Sequence, residues 1–239
     1  EFFLRKGYPT YVVDQASRGR SAADPTTTVG ARQGKLPPGQ LPAVFSAGRE
    51  GAWKIFRFGP EYPKIYAGLQ YPLQAQDQLW KQMVPDWSAA QAVPNPTVPD
   101  LSLLVKRLGG AILVSHSQSG IYPFQVASID PSGIAAIVAL EPGSCPKPDE
   151  DVRPYTHIPT LLVYGDFIAQ STDWWVPRLK ACEAFVEAIN AAGGKARIVH
   201  LPDVGFHGNT HMMMQDLNSL DVAEWLSRWL DGHGGQQRG

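Results

Sequence analysis

Gly109-Gly110-Ala111-Ile112-Leu113-Val114-Ser115-His116-Ser117-Gln118-Ser119-Gly120 is the stretch on which the reading of the fold turns. Ala111 to Val114 is an unbroken apolar run. With no polar alternation it has no wet face, so it reads as a strand buried on both sides. The run leads into small-x-Ser-x-small, with Ser115 and Ser119 flanking Ser117, and a helix-compatible segment follows. Strand, tight turn, serine and helix together make a nucleophile elbow. Such a turn holds its serine in a strained backbone and needs small residues two positions away on each side. Glycine usually fills both places; serine is sterically tolerable there. Register selects Ser117, because centring the pattern on Ser115 puts Leu113 in a small place and centring it on Ser119 puts Ile121 there. A serine-rich strand-to-helix loop with no chemistry is the competing reading of the motif alone.

Outward from the elbow, Pro99 to Leu108 carries Leu101, Leu104, Val105 and Leu108 at helical spacing and stops at Gly109-Gly110. Downstream, Tyr122 to Ile129 reads as a helix, and Ile134 to Leu140 and Thr160 to Tyr164 as apolar strands. Pro177 to Ala192 is an amphipathic helix, Ala196 to Leu201 a last strand and Val222 to Leu230 a last helix. Asp231 to Gly239 reads as a polar, disordered tail. Strands buried on both faces and alternating with helices predict an α/β fold, a mostly parallel sheet covered by helices on both faces.

Upstream, Thr10 to Asp14 reads as a strand. The turn after it holds Arg18 and Arg20, read as structural hydrogen-bonding residues. From Ala22 to Pro99 the periodicity is poor and prolines are frequent, so residues 22–99 are expected to form a lid-like insertion. Only Gln74 to Met83 within it has helical composition. Its aromatics, Trp53, Phe56, Phe58, Tyr62, Tyr66, Trp80 and Trp87, form either a small core of their own or, with Trp174 and Trp175, the walls of an apolar pocket. Glu1 to Tyr8 reads as the end of a helix running into a strand. A start inside an element implies that N-terminal strands precede this numbering.

At 239 residues the chain suits a single domain over 1–239, and a formal charge of −1 offers no basic field for nucleic acid. No apolar run is long enough to span a bilayer. Cys145 and Cys182 are either two buried thiols or a disulfide; a bridge would close a loop of roughly 38 residues, worth about 4 kcal/mol.

A serine hydroxyl needs a base, and the base an orienting acid. Among six histidines, His116 adjoins Ser117 and cannot turn back onto it, His157 precedes a strand, His200 lies within one and His233 is in the tail. His207 and His211 remain, in the loop after the last strand, where the chain order serine, acid, histidine puts the base. His211 is preferred and His207 is the fallback. The two also have the spacing of zinc ligands on a helix, but Gly208-Asn209 argues against a helix and no third ligand is near. For the acid, Glu141 and Asp166 each end a strand, and pattern alone does not separate them.

Ser115-His116-Ser117-Gln118-Ser119-Gly120, Glu141-Pro142-Gly143 and Gly208-Asn209-Thr210-His211 together resemble the α/β-hydrolase superfamily. More narrowly, they resemble a branch of bacterial serine esterases whose triad acid is a glutamate after the sixth strand of that fold. The resemblance extends to Arg5-Lys6-Gly7-Tyr8, Asp14-Gln15, Arg18-Gly19-Arg20-Ser21 and His211-Met212-Met213-Met214-Gln215-Asp216. It implies Ser117 as nucleophile, His211 as base and Glu141 as acid, with Asp166 second because most hydrolases of this fold carry the acid there. It gives the backbone N–H of Gln118 one place in the oxyanion hole and puts the second donor in a His-Gly loop ahead of residue 1. Members of the branch are exported, which implies a secreted or periplasmic home and a Cys145–Cys182 bridge.

The expectation is a serine carboxylic-ester hydrolase acting through an acyl-enzyme on a small, uncharged, largely apolar ester, without cofactor or metal. A lactonase or acyltransferase using the same triad, or a non-catalytic binding protein on the same fold, are the alternatives. Oligomeric state, a homodimer included, is not legible.

Overall fold

The computed structural model describes residues 1–21, 24–83, 86–87 and 94–233. Two short strands, β1 (Val44–Phe45) and β2 (Asp86–Trp87), pair antiparallel. The main sheet is built from the four apolar runs, β3 (Ala111–His116), β4 (Ile134–Leu140), β5 (Thr160–Tyr164) and β6 (Ala196–His200). They are parallel and ordered β3-β4-β5-β6, in register through Leu113 with Ile137, Val138 with Leu161 and Leu162 with Ile198. Eight helices accompany them among the described residues: α1 (Phe2–Arg5), α2 (Thr26–Arg32), α3 (Gly48–Ile55), α4 (Gln76–Gln82), α5 (Thr97–Arg107), α6 (Tyr122–Ile129), α7 (Trp175–Ala191) and α8 (Ser219–His233).

Strand residues alternate between two cores, the two-residue period of a pleated sheet. Ile137 and Ala139 of β4 with Leu162 and Tyr164 of β5 face Val105 of α5, Phe124 of α6, and Cys182, Phe185 and Ile189 of α7. Val138, Leu161 and Val163 point the other way, to Val222, Leu226 and Leu230 of α8 and to Phe3 of α1. Both faces of β4 and β5 are therefore dry, which is why these two strands read as continuous apolar runs; β3, at the end of the strand order, is only half-buried and Val114 is 53% exposed, so Ala111 to Val114 is not buried on both sides as expected. α/β layering is what the sequence predicts, and strands β4 and β5 fall on the expected residues.

Four further expectations need correction. Thr10 to Asp14 is not a strand: no ladder partner lies beside it among the described residues, and Val12 is 80% exposed. The tail begins later than Asp231, because α8 continues through His233; residues 234–239 lie outside the described residues. Between Ala22 and Pro99 there is more helix than composition suggests. Ahead of α2, Asp24 accepts the Thr26 N–H at 2.9 Å, and α3 forms despite Gly48 and Gly51 because Ala52 and Trp53 are buried. Finally, Trp175 is a fully buried core residue and not a wall of an open pocket.

Trp53, Phe58, Tyr71 and Leu79 bury together with Phe56, Tyr62 and Trp80 in a third, separate cluster. Residues 22, 23, 84, 85 and 88–93 and the side chain of Trp87 lie outside the described residues.

Candidate active site

β3 ends at His116 in extended conformation, and Ser117 then adopts φ 58° at the head of a single 3₁₀ turn, Ser117–Ile121, that feeds α6. A non-glycine residue in this region is strained, and the strain lifts the hydroxyl out of the sheet edge. Ser119 Oγ donates to the His116 carbonyl at 2.8 Å, and the Gly143 N–H donates to the Ser117 carbonyl at 2.8 Å. Gly120 is required, since a Cβ there would lie 2.6 Å from Pro142 Cα. The elbow is thereby packed directly onto the turn that follows β4.

That turn begins with Glu141, at φ 49° and fully buried. Its carboxylate accepts from His211 Nδ1 at 3.3 Å and from Arg57 Nη1 at 2.8 Å. Arg57 Nη2 and the Gly165 N–H also donate to it. His211, also fully buried, completes the line, with Nε2 2.7 Å from Ser117 Oγ. A carboxylate can only accept, so the imidazole proton sits on Nδ1 and the Nε2 lone pair faces the serine hydroxyl.

The loop bearing His211 is tied down at several points. Asp216 accepts from the Thr210 N–H at 2.7 Å, Thr210 Oγ1 at 2.9 Å and Asn209 Nδ2 at 3.1 Å. The His211 N–H donates to the Phe56 carbonyl at 3.1 Å, and His116 Nε2 donates to the His211 carbonyl at 2.8 Å. Around the imidazole, the Phe56 ring is stacked at 5.9 Å, while Trp175 and His116 lie at 4.5 and 4.6 Å. This dry cage lowers the His211 pKa from 6.5 to about 4: burial disfavours the cation more than the Glu141 hydrogen bond favours it. For Glu141, burial pushes upward, but the charge of Arg57 and the bonds from His211 and Arg57 prevail and hold the carboxyl down at about 2. An imidazole kept neutral beside an anion is poised to accept a proton from an alcohol.

The rival candidates lie elsewhere. The Asp166 carboxylate accepts from the Phe167 and Gly208 amides, at 2.7 and 3.0 Å, and so caps a turn without meeting His211. His207 is exposed. Among the described residues no group of three His, Cys, Asp or Glu is placed to hold a metal ion. Gln118 follows Ser117 in the first turn of the 3₁₀ helix, where amides point away from the helix body, and its Oε1 accepts from Arg18 Nη2 at 2.7 Å. Arg20 is bound to Asp14, its Nε donating at 2.7 Å, so of the two arginines read as structural one reaches the elbow.

A solved structure of a novel bacterial esterase superposes with a TM-score of 0.93 at 55% identity, covering 98% of this chain and 73% of that one. The chain belongs to this family of α/β-hydrolase esterases. The fungal protein named "Probable secreted lipase phiG" (Fungal sp., strain ATCC 74256) is 24% identical over 284 residues, covering 96% of this esterase and 74% of the lipase. No family model matches the chain.

Cys145 and Cys182 form a disulfide that ties the segment after Glu141 to α7 of the esterase. No described helix is long and apolar enough to cross a membrane.

Sequence reasoning does not single out Arg57. The available signal is its place between Phe56 and Phe58, close to Trp53. A guanidinium in an aromatic run is buried with its neighbours and must bring a counter-charge with it.

Proposed function

We propose that Ser117, His211 and Glu141 are the nucleophile, base and acid of a carboxylic-ester hydrolase working through an acyl-enzyme. Ser117 Oγ attacks the ester carbonyl as its proton passes to His211 Nε2, and Glu141 stabilises the imidazolium through Nδ1. The Gln118 N–H is one donor to the tetrahedral oxyanion, a contact worth about 3 kcal/mol in other hydrolases. Collapse of the intermediate expels the alcohol, which takes the proton from Nε2. Water, deprotonated by the same nitrogen, then attacks the acyl-enzyme and frees the acid and Ser117.

The observation that carries the reading is the continuous line of alcohol, imidazole and carboxylate, at 2.7 and 3.3 Å, with the last two groups fully buried. Membership of an esterase family supports it. A small, uncharged, largely apolar ester is the substrate class of this reading, and the disulfide suits a secreted or periplasmic protein. We read residues 22–99 as an insertion that reaches the site through Phe56 and Arg57.

Pre-steady-state hydrolysis of a p-nitrophenyl ester tests the scheme. The expected trace is a nitrophenol burst of one equivalent per protein, absent in Ser117→Ala. A full burst in Ser117→Ala would reject it.

A further inference from the structure

Five non-glycine residues have positive φ among the described residues, and three of them, Arg57, Ser117 and Glu141, lie on one hydrogen-bonded line through His211. Two of the three were chosen by the chemistry. Arg57 enters from outside the sheet, one residue beyond the C-cap of α3, at φ 58°. It is fully buried, and all three of its donor nitrogens are used: Nη1 and Nη2 fork onto Glu141, and Nε donates to the Asp166 carbonyl at 2.8 Å. The guanidinium also lies 5.1 Å over the Trp175 ring, whose Nε1 donates to the Ile55 carbonyl at 2.7 Å.

Stability alone does not explain this arrangement. Taking two charges out of water costs several kcal/mol per ion, and well-packed neutral side chains would be as good or better. Left-handed backbone at both Arg57 and Glu141 adds strain. What an arginine supplies, and a neutral residue does not, is a planar fork that sets the plane of a carboxylate and keeps it anionic. Glu141 Oε2 is the atom shared between Arg57 Nη1 and His211 Nδ1. The direction in which that oxygen presents itself to the imidazole is thus set from the far side by Arg57.

We propose that Arg57 is a positioning residue for ester hydrolysis: it clamps the Glu141 carboxylate in the orientation that holds the His211 ring toward Ser117. The inference rests on the triad assigned under Proposed function. The segment after α3 is then a structural part of the active centre. It contributes the clamp from Arg57, the Phe56 carbonyl under the His211 amide and the Phe56 ring on the imidazole face. Its own anchorage comes from the cluster behind it, where Phe58 stacks on Tyr71 at 4.3 Å and Trp53 Nε1 donates to the Lys64 carbonyl at 2.7 Å.

The charged and titratable groups facing His211 and Glu141 are Arg57, His116 from β3, Tyr164 from β5 and Asp216 from the histidine loop. Removing the arginine charge makes both Glu141 and His211 easier to protonate, so both effects move the acid limb of activity to higher pH.

The test is the pH profile of kcat/KM, with kcat and KM read separately, for Arg57→Met, Arg57→Lys and Glu141→Gln on a p-nitrophenyl ester. Arg57→Met is expected to lower kcat about 100-fold with KM within about threefold, and to raise the acid limb by about one pH unit. Arg57→Lys keeps the charge and loses the fork: kcat falls about tenfold and the acid limb stays near its wild-type position. Wild-type kcat and pH profile in a folded Arg57→Met overturns the proposal. If that variant does not fold, Arg57→Lys decides, since an undiminished kcat there shows that the fork orients nothing. Glu141→Gln separates the two readings. Wild-type rates in Glu141→Gln reject the triad itself, whereas a crippled Glu141→Gln beside normal Arg57 variants rejects only the clamp.

Discussion

At the scale of single residues, if His211 is the base as proposed, its burial decides the working range of the enzyme. A base must be neutral to accept the Ser117 proton, and the dry cage lowers its pKa from 6.5 to about 4. Activity should therefore survive acidification that would silence an exposed histidine. We expect the acid half-point of kcat/KM nearer pH 4 than pH 6.5, measured in rapid assays from protein held at neutral pH; a half-point at 6.5 or above contradicts the cage. The two candidate acids should separate just as clearly. Glu141→Gln keeps the shape but loses the anion beside the imidazolium, so kcat should fall about 10³ to 10⁴-fold. Asp166→Asn touches only the turn at Phe167 and Gly208, and its kcat should stay within about tenfold of wild type. The reverse order would hand the role to Asp166. Sequence pattern left these two level because both end strands; the difference lies in where a buried carboxylate points, which no spacing records.

At the scale of elements, the elbow and the turn after β4 form one packed unit. Gly120→Ala would push a methyl into Pro142 Cα, which is backbone and cannot swing aside. The variant should lose about 1 to 3 kcal/mol of stability in urea unfolding. Its kcat should fall as well, because the displaced turn carries Glu141; wild-type values on both counts would contradict the packing. Elements such as this were the legible part of the sequence. β4, β5 and α6 declare themselves because both faces of the sheet are dry and the runs are short and bounded by turn residues. Thr10 to Asp14 has the same β-branched composition, but a strand also needs a neighbour, and composition does not report one. α3 is the opposite case: its glycines hide a helix that exists because its own Ala52 and Trp53 are buried. Arg57, at the end of that helix, was invisible for the same reason, since its partner Glu141 is 84 positions away.

At the scale of the whole molecule, the buried charges couple folding to pH in a defined sense. Glu141 has a folded pKa depressed from 4.5 to about 2, so its contribution is present above pH 4.5 and is lost as pH falls towards 2. His211 acts in the same direction. It is held neutral in the fold, and an unfolded chain protonates it near 6.5, so stability declines from there to about pH 4. Asp216, whose pKa burial raises to about 6, works in the opposite sense from there down to 3.8, so the His211 contribution is read by difference: the urea midpoint of His211→Gln should lose less than that of wild type between pH 6.5 and 4. An equal or larger loss in His211→Gln would contradict the burial of His211. The most direct test of the central claim is reaction with a fluorophosphonate followed by intact-mass and peptide analysis. The account predicts one adduct per chain, on Ser117, and none in Ser117→Ala. A folded, ester-cleaving protein that takes no label at Ser117, or takes it on another serine, would contradict it.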